Sequence, residues 1–208
     1  MSVEPARRTI LAPYIVSWTE EVDPPARVEL VPGRGIGYAD EKVTDRDSHG
    51  VLWHRSAWRP YEGRPQFARI HPARQRRAMQ RLLCLVCGGP ADETEEGVLW
   101  LLQDHREDWK GWPNRMAVAE PPVCLPCVEV SVQKCPALRK GAVAILAGRY
   151  PVAGVRGVLY AEGPNRMPTP VEDAIVAYDS HKSRWIKAHN LVRQLGDCEL
   201  FEVHELIK

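Results

Sequence analysis

The chain has 208 residues, of which 44% are hydrophobic and 26% are charged, and its formal net charge at neutral pH is +1. This composition is ordinary for a soluble globular protein, and the near-neutral charge gives no global sign of a nucleic-acid binder. No apolar run approaches the roughly 20 residues that a membrane-spanning helix needs, so we expect no membrane partner. The opening stretch "MSVEPARRTILAPYIV" lacks the features of a secretory signal, and we therefore expect a cytoplasmic protein.

Residues 1–68 predict a β-rich N-terminal part. Three stretches, at 26–31, 35–43 and 50–58, carry valine, isoleucine, tyrosine and tryptophan, which favour strands. The segments between them, "PGRG" and "DRDSHG", consist of turn-forming residues. These patterns predict strands joined by tight turns.

The stretch "HPARQRRAMQRLLC", residues 71–84, predicts a helix with a proline near its start, where the missing N–H costs nothing. We expect Arg74, Arg77 and Arg81 to share one face of this helix. Such a row suits contacts with phosphates, because guanidinium groups bind oxyanions bidentately and displace counterions. The alternative is a solvated face that pairs with acids beyond the helix, namely Glu93, Glu95 and Glu96.

Two Cys-x-x-Cys pairs follow, separated by 36 residues. Each pair can wrap a metal ion in a tight turn, and the glycines after the first pair provide a free backbone. Together they predict a tetrahedral site of Cys84, Cys87, Cys124 and Cys127, with zinc as its natural occupant in a reducing compartment. Four thiolates fill the coordination shell, so we expect a structural Zn²⁺ ion.

Other interpretations of the cysteines remain open. A single Cys-x-x-Cys pair at a helix start is typical of thiol redox chemistry, although two pairs in one segment favour shared metal ligation. The four cysteines could also be unrelated buried side chains. Cys135 could replace Cys127 as a ligand; otherwise Cys135 and Cys198 are expected to be small buried hydrophobes.

Between the pairs, "GVLWLLQDHREDWKGWPNRMAVAEPPV" has ends that predict two strands joined by a polar loop. A knuckle, a hairpin and a second cysteine pair leading into a helix resemble a treble-clef zinc finger. The order is also similar to that of the HNH endonuclease family, in which an Asp-His pair, a Gly and an Asn precede the second knuckle. The matching residues in this chain are Asp104, His105, Gly111 and Asn114.

The HNH resemblance implies a role for His105 as the general base of a metal-dependent nuclease. Val128 stands where that family commonly has a His or Asn ligand, so the catalytic constellation is incomplete. The alternative is that Asp104 and His105 belong to a charged surface loop.

Trp109 and Trp112 fall in the same loop. Exposed tryptophans there would stack on bases or fill a pocket of a partner. The alternative is that both rings fold back onto the small core of the module.

The C-terminal part, residues 137–208, predicts further strands around one helix. We expect strands at 141–150, 154–162, 173–180 and 198–206. The stretch at 181–196 predicts a helix, because Trp185, Ala188, Val192 and Leu195 recur at helical spacing and Gly196 stands where helices commonly stop.

The sequence therefore predicts an α+β fold of mixed sheets with an inserted four-cysteine, treble-clef-like zinc module. The division is a β-rich part at 1–68, the arginine-rich helix and zinc module at 69–136, and an α+β part at 137–208. Three functions fit this pattern. The favoured one is a zinc protein that binds DNA or RNA without catalysis, through Arg74, Arg77, Arg81, Trp109 and Trp112. The others are a protein-interaction or regulatory module held together by zinc and an altered HNH-type nuclease.

Overall fold

The computed structural model describes residues 12–207, along which short strands alternate with a few helices. The strands are β1 (Val16–Trp18), β2 (Val28–Val31), β3 (Gly35–Tyr38), β4 (Leu52–Trp53), β5 (Pro65–Ile70), β6 (Val98–Gln103), β7 (Ala117–Val118), β8 (Ala142–Arg149), β9 (Val152–Glu162), β10 (Pro168–Ala177), β11 (Ile186–Gln194) and β12 (Gly196–Glu202). The α-helices are α1 (Pro72–Arg81), α2 (Leu125–Lys134) and α3 (Val203–Leu206). None of the described helices is both long enough and apolar enough to cross a membrane. The interpretation of residues 1–11 as free of a secretory signal lies outside the described residues.

The strands form four sheets. The largest has the order β10-β9-β11-β4, with β7 paired to the end of β11. A second sheet has the order β12-β8-β6, and β1-β5 and β2-β3 form two-stranded ribbons. The predicted mixture of sheets and few helices is confirmed.

Helix α1 begins at Pro72, as its sequence predicts, but ends at Arg81, before the end of the predicted stretch 71–84. The His71 ring accepts a hydrogen bond from the backbone N–H of Arg74, and Pro72 opens the first turn. Leu82, with φ of 51°, adopts the left-handed conformation that ends the helix. One face packs on β11, where the Gln75 side chain donates to the Leu191 carbonyl at 2.9 Å and accepts from the Leu191 N–H at 2.9 Å.

Strand β6 links the metal-binding segment to the rest of the protein. Its residues are apolar in succession, and alternate side chains point to opposite faces of a strand. Trp100 and Leu102 pack into a core with Ile145 and Leu195, whereas Leu99 and Leu101 belong to a second core around the cysteines. Burial on both faces explains why the strand is a continuous apolar run.

The predicted helix at 181–196 is wrong. A 3-10 turn covers His181–Trp185, and Ile186–Gln194 is strand β11, which pairs with β9, β4 and β7. The residues have a strand period as well as a helical one: Ile186 and Ala188 are fully buried, whereas Lys187 between them is partly exposed. Pairing with strands on both sides decides the conformation.

Two other expectations need correction. The strands β6 and β7 do not form a hairpin with each other, because β6 pairs with β8 and β7 pairs with β11. The last predicted strand stops at Glu202 and continues as the short helix α3. Sheet pairings also join the three predicted segments, since β4 pairs with β11 and β6 pairs with β8. The three-segment division stays a prediction.

Candidate metal centre

The four cysteines of the two pairs come together in space. The four sulfur atoms all lie within 4.8 Å of one another. Those of Cys87 and Cys124 are 3.7 Å apart. A tetrahedron with metal–sulfur bonds of about 2.3 Å has sulfur–sulfur edges of about 3.8 Å. The cysteines are therefore already placed as a tetrahedral metal ion would hold them.

The first pair forms a tight knuckle at the end of α1. The Cys84 N–H donates to the Gly89 carbonyl at 2.7 Å, and the Gly88 N–H donates to the Cys84 carbonyl at 2.9 Å. The Val86 N–H points at the Cys84 sulfur, 3.4 Å away. Gly88 has a φ of +72°, and a Cβ there would lie 2.7 Å from the Tyr14 ring. Glycine is therefore required at this position both by the turn and by the close approach of Tyr14.

The second pair opens helix α2. Cys124 is the N-cap residue, and Cys127 lies in the first turn. The Asp92 carboxylate accepts a hydrogen bond from the Leu125 N–H, and so caps the helix from a separate part of the chain. The positive end of the helix dipole faces the sulfurs, which favours thiolates.

Without a cation the centre resists full ionisation. Burial, together with the charge of Cys84, raises the pKa of Cys124 to about 12 and also raises the pKa of Cys127. Burial opposes ionisation of Cys87 too, but the Gly89 N–H and the neighbouring thiols bring its pKa below the ordinary value. A divalent cation would replace the mutual repulsion of the sulfurs with attraction and deprotonate them.

The centre is enclosed on one side by apolar residues. Cys84 and Cys127 are buried together with Val86, Val123 and Val128, whereas Cys87 is exposed. Four protein ligands complete a tetrahedron, so the arrangement leaves no coordination position for water or substrate. Its chemistry is that of a structural metal site. Cys135, at the C-terminal end of α2, lies outside the cluster.

The arginines of α1 divide into two groups, and the prediction for Arg74 is wrong. Its side chain is 1% exposed and donates to the Glu21 carboxylate at 2.5 and 2.7 Å, so it cannot contact a partner. Arg77 and Arg81 are exposed, and neither forms an ion pair within residues 12–207. The alternative, pairing of these arginines with Glu93, Glu95 and Glu96, does not occur among those residues.

The two loop tryptophans also differ. Trp112 is 5% exposed and packs with Trp100 and Leu195, so its predicted role in stacking on bases is wrong and the alternative of packing on the core is confirmed. Trp109 is 41% exposed, with its ring centroid 6.4 Å from that of Trp112. It remains available to a partner.

His105 lies on the surface of the same loop. Its Nδ1 is 3.5 Å from the Asp108 carboxylate, and Asp104 is engaged by the Arg106 guanidinium. Within residues 12–207, the four cysteines are the one group of three or more side chains whose ligand atoms lie close enough to hold a metal ion. His105 therefore has no assembled metal site beside it there.

Sequence reasoning missed two residues. Asp92, five residues after the first pair, caps α2, and the run "GGPAD" gave no sign of this because the partner lies on the far side of the module. Arg76 was assigned to neither face of α1, yet its guanidinium stacks on the Trp53 ring at 4.2 Å. No local signal in the sequence places Trp53 beside Arg76.

No protein-family model, curated protein or solved structure matches the chain.

Proposed function

We propose that the protein holds a structural zinc ion and binds nucleic acid without catalysis, through the exposed side of α1 beside the zinc module. The observation that carries the proposal is the junction between the two: α1 ends at Arg81, and Cys84 follows three residues later. A metal ion held by Cys84 would therefore anchor the C-terminal end of α1, next to Arg81.

Zinc is the ion that the donor set favours. Four thiolates in a tetrahedron suit zinc, whereas calcium and magnesium prefer oxygen ligands. Free thiols at this spacing need a reducing environment to persist, which supports a cytoplasmic location as part of the proposal. The treble-clef assignment rests on the two knuckles, the second of which opens a helix, although the hairpin between them is absent.

Nucleic-acid binding is supported by charge and exposure. Arg77 and Arg81 are one helical turn apart, so their guanidinium groups lie along one stripe. Since neither has a carboxylate partner within residues 12–207, their charge is available to phosphates. Exposed Trp109 offers a flat ring that stacks on unpaired bases.

A protein partner is the second candidate, and it has its own observation. Residues 58–67 present large hydrophobic side chains to solvent: Trp58 is 53% exposed, Tyr61 is 68% exposed and Phe67 is 66% exposed. Aromatic residues of this kind are enriched at protein interfaces. The nuclease interpretation has less support, because Val128 is fully buried and His105 lacks an assembled metal site within the described chain.

The test combines metal analysis with binding. Purified protein is assayed for zinc per chain, and labelled DNA and RNA are titrated at low and high salt, with and without added magnesium or manganese. We expect about one zinc per chain, no cleavage, and an affinity that falls steeply with salt, because bound arginines displace counterions.

Each other outcome points elsewhere. Zinc without any nucleic-acid response would refute the binding proposal and favour the protein partner. Divalent-dependent cleavage that disappears in His105→Ala would establish the nuclease instead. Protein without zinc that keeps its stability would remove the metal assignment itself.

A further inference from the structure

A cavity of about 340 Å³ lies between one side of α1 and the segment around β4. We call it the arginine cavity, and its polar lining residues are Thr44, Asp45, His54, Arg55, Arg76, Arg77 and Gln80. The other major wall is the Trp53 side chain, whose Nε1–H donates to the Asp47 carboxylate at 2.9 Å. This hydrogen bond fixes the ring against which the cavity is built.

Arg76 is held in place by that ring. Its guanidinium carbon lies 4.2 Å from the centroid of the Trp53 ring, in a cation–π stack. The N–H groups of a guanidinium lie in its own plane, so stacking on an aromatic ring leaves them free to donate hydrogen bonds outward from the stack. Within residues 12–207, neither Arg76 nor Arg77 has a carboxylate partner. Both therefore bring an uncompensated positive charge to the cavity.

The single carboxylate in the lining does not cancel this charge. Asp45 is already engaged by Arg55, whose Nε and Nη2 donate to its two oxygens at 2.9 and 2.6 Å. The Lys42 backbone N–H donates to the same carboxylate at 2.6 Å. Arg55 thus offsets the charge of Asp45, although its Nη1 also donates to the exposed Asp40 carboxylate at 2.9 and 3.0 Å. The cations at the cavity that have no carboxylate partner within residues 12–207 are Arg76 and Arg77.

We propose that the arginine cavity binds one phosphate group of a nucleic-acid strand, with Arg76 and Arg77 as its ligands. The Thr44 hydroxyl and the Gln80 amide supply further donors at the rim. Arg81, one turn beyond Arg77, contacts the next part of the strand. This inference rests on the proposed function. It adds a specific phosphate-binding site to a surface that would otherwise bind through charge alone. A small phosphate compound would be recognised by the same groups. The test therefore distinguishes a nucleic-acid phosphate from a free phosphate.

The test uses the 208-residue chain with zinc bound. Labelled oligonucleotide is titrated with the wild type and with R76K, R77A and R64A. Arg64 is an exposed arginine outside the cavity with no ion pair within residues 12–207, and it is the matched control for loss of one charge. Inorganic phosphate is titrated separately by calorimetry against the same proteins, and zinc content is checked for each variant.

We expect R76K and R77A each to weaken oligonucleotide binding about tenfold, because each removes a charge-assisted hydrogen bond of that order. R77A should also lower the salt slope by about one, whereas R76K should leave the slope unchanged, since lysine keeps the charge but loses the planar fork. R64A should bind as the wild type does.

The outcomes separate the cavity from the proposed function. If the wild type binds oligonucleotide and R76K and R77A bind it as tightly as R64A does, the cavity is not the phosphate-binding site. Nucleic-acid binding then stands without it. If the wild type ignores oligonucleotide but binds inorganic phosphate through Arg76 and Arg77, the proposed function fails and a small-phosphate site replaces the strand. If neither ligand binds, both proposals are refuted.

Discussion

Arg74 keeps its charge inside the protein. Its guanidinium contacts both oxygens of Glu21, and its Nη2 also donates to the Val16 carbonyl at 2.6 Å. Burial works against the Glu21 carboxylate, but hydrogen bonds from Arg74 and the Trp18 N–H bring its pKa below the ordinary value. The pair therefore ties α1 to the N-terminal ribbon of β1 and β5.

Removing the Arg74 side chain should destabilise the protein strongly. We expect Arg74→Ala to lower the free energy of unfolding by about 3–5 kcal/mol, because the buried Glu21 carboxylate would lose the cation that pairs with it. Urea denaturation followed by circular dichroism measures the change. Arg77→Ala is the matched control on the same helix, and it should change stability by less than about 0.5 kcal/mol. Equal effects of the two substitutions would contradict the assignment of Arg74 to the interior.

The sequence alone could not separate these arginines. Helical spacing predicts one shared face for Arg74, Arg77 and Arg81, but Arg74 is buried whereas Arg77 and Arg81 are exposed. Which of them faces inward depends on Glu21, which is 53 residues away from Arg74 along the chain. The metal ligands were predictable because each half of the site is a Cys-x-x-Cys pair that is visible in the sequence. A buried ion pair between distant residues leaves no such pattern.

At the scale of elements, α2 depends on a residue outside it. Its N-cap, Cys124, makes no side-chain capping bond, and the Asp92 carboxylate accepts the Leu125 N–H instead. The Asp92 backbone also bridges the module, since its N–H donates to the Val123 carbonyl at 3.1 Å and its carbonyl accepts from Leu99 at 2.9 Å. Asp92 thus positions the second cysteine pair relative to β6.

Replacing Asp92 should therefore weaken metal binding. We expect Asp92→Ala to lower zinc affinity about tenfold, in the range seen when groups that orient metal ligands are lost. Competition with a chromogenic chelator measures the affinity, and circular dichroism of the zinc-saturated protein checks the fold. Asp108→Ala, at an exposed position in the loop before β7, is the control. An unchanged affinity in Asp92→Ala would show that the cysteines hold their positions without this cap.

Strand β11 shows where element prediction fails. Its residues satisfy the helical spacing of Trp185, Ala188, Val192 and Leu195, and two of these contribute to one core: Ala188 is buried and Trp185 packs against it. Leu195 belongs to a different core, with Trp100 and Val118. A helix would place all four on a single stripe, whereas in the structure Ala188 and Leu195 lie in two different cores. Long-range pairing with β9 therefore overrides the local period.

For the whole molecule, the metal centre and the largest sheet are built mostly from different parts of the chain, although β7, which lies between the cysteine pairs, joins that sheet by pairing with β11. The cysteines pack with β6 and α2, and β6 reaches the rest through β8. Strands β9 and β10 pair with each other along nearly their full length, and β9 also pairs with β11. None of these three strands belongs to the metal-binding segment. A loss of metal should therefore affect the two regions unequally.

Removing zinc should unfold the metal module and spare the β9-β10 hairpin. We expect Cys84→Ser to lose the metal, because the site loses one of its four thiolate ligands. The module should then unfold, because structural zinc contributes on the order of 10 kcal/mol to such modules. Hydrogen exchange followed by mass spectrometry should then show lost protection in Val98–Gln103 and in α2, with protection kept in Val152–Ala177. Cys198→Ser, which changes a half-buried thiol outside the cluster, should keep both zinc and protection. If β9 and β10 exchange as fast as β6 in Cys84→Ser, the molecule folds as one unit around its metal, and the zinc centre supports the whole chain rather than its central segment.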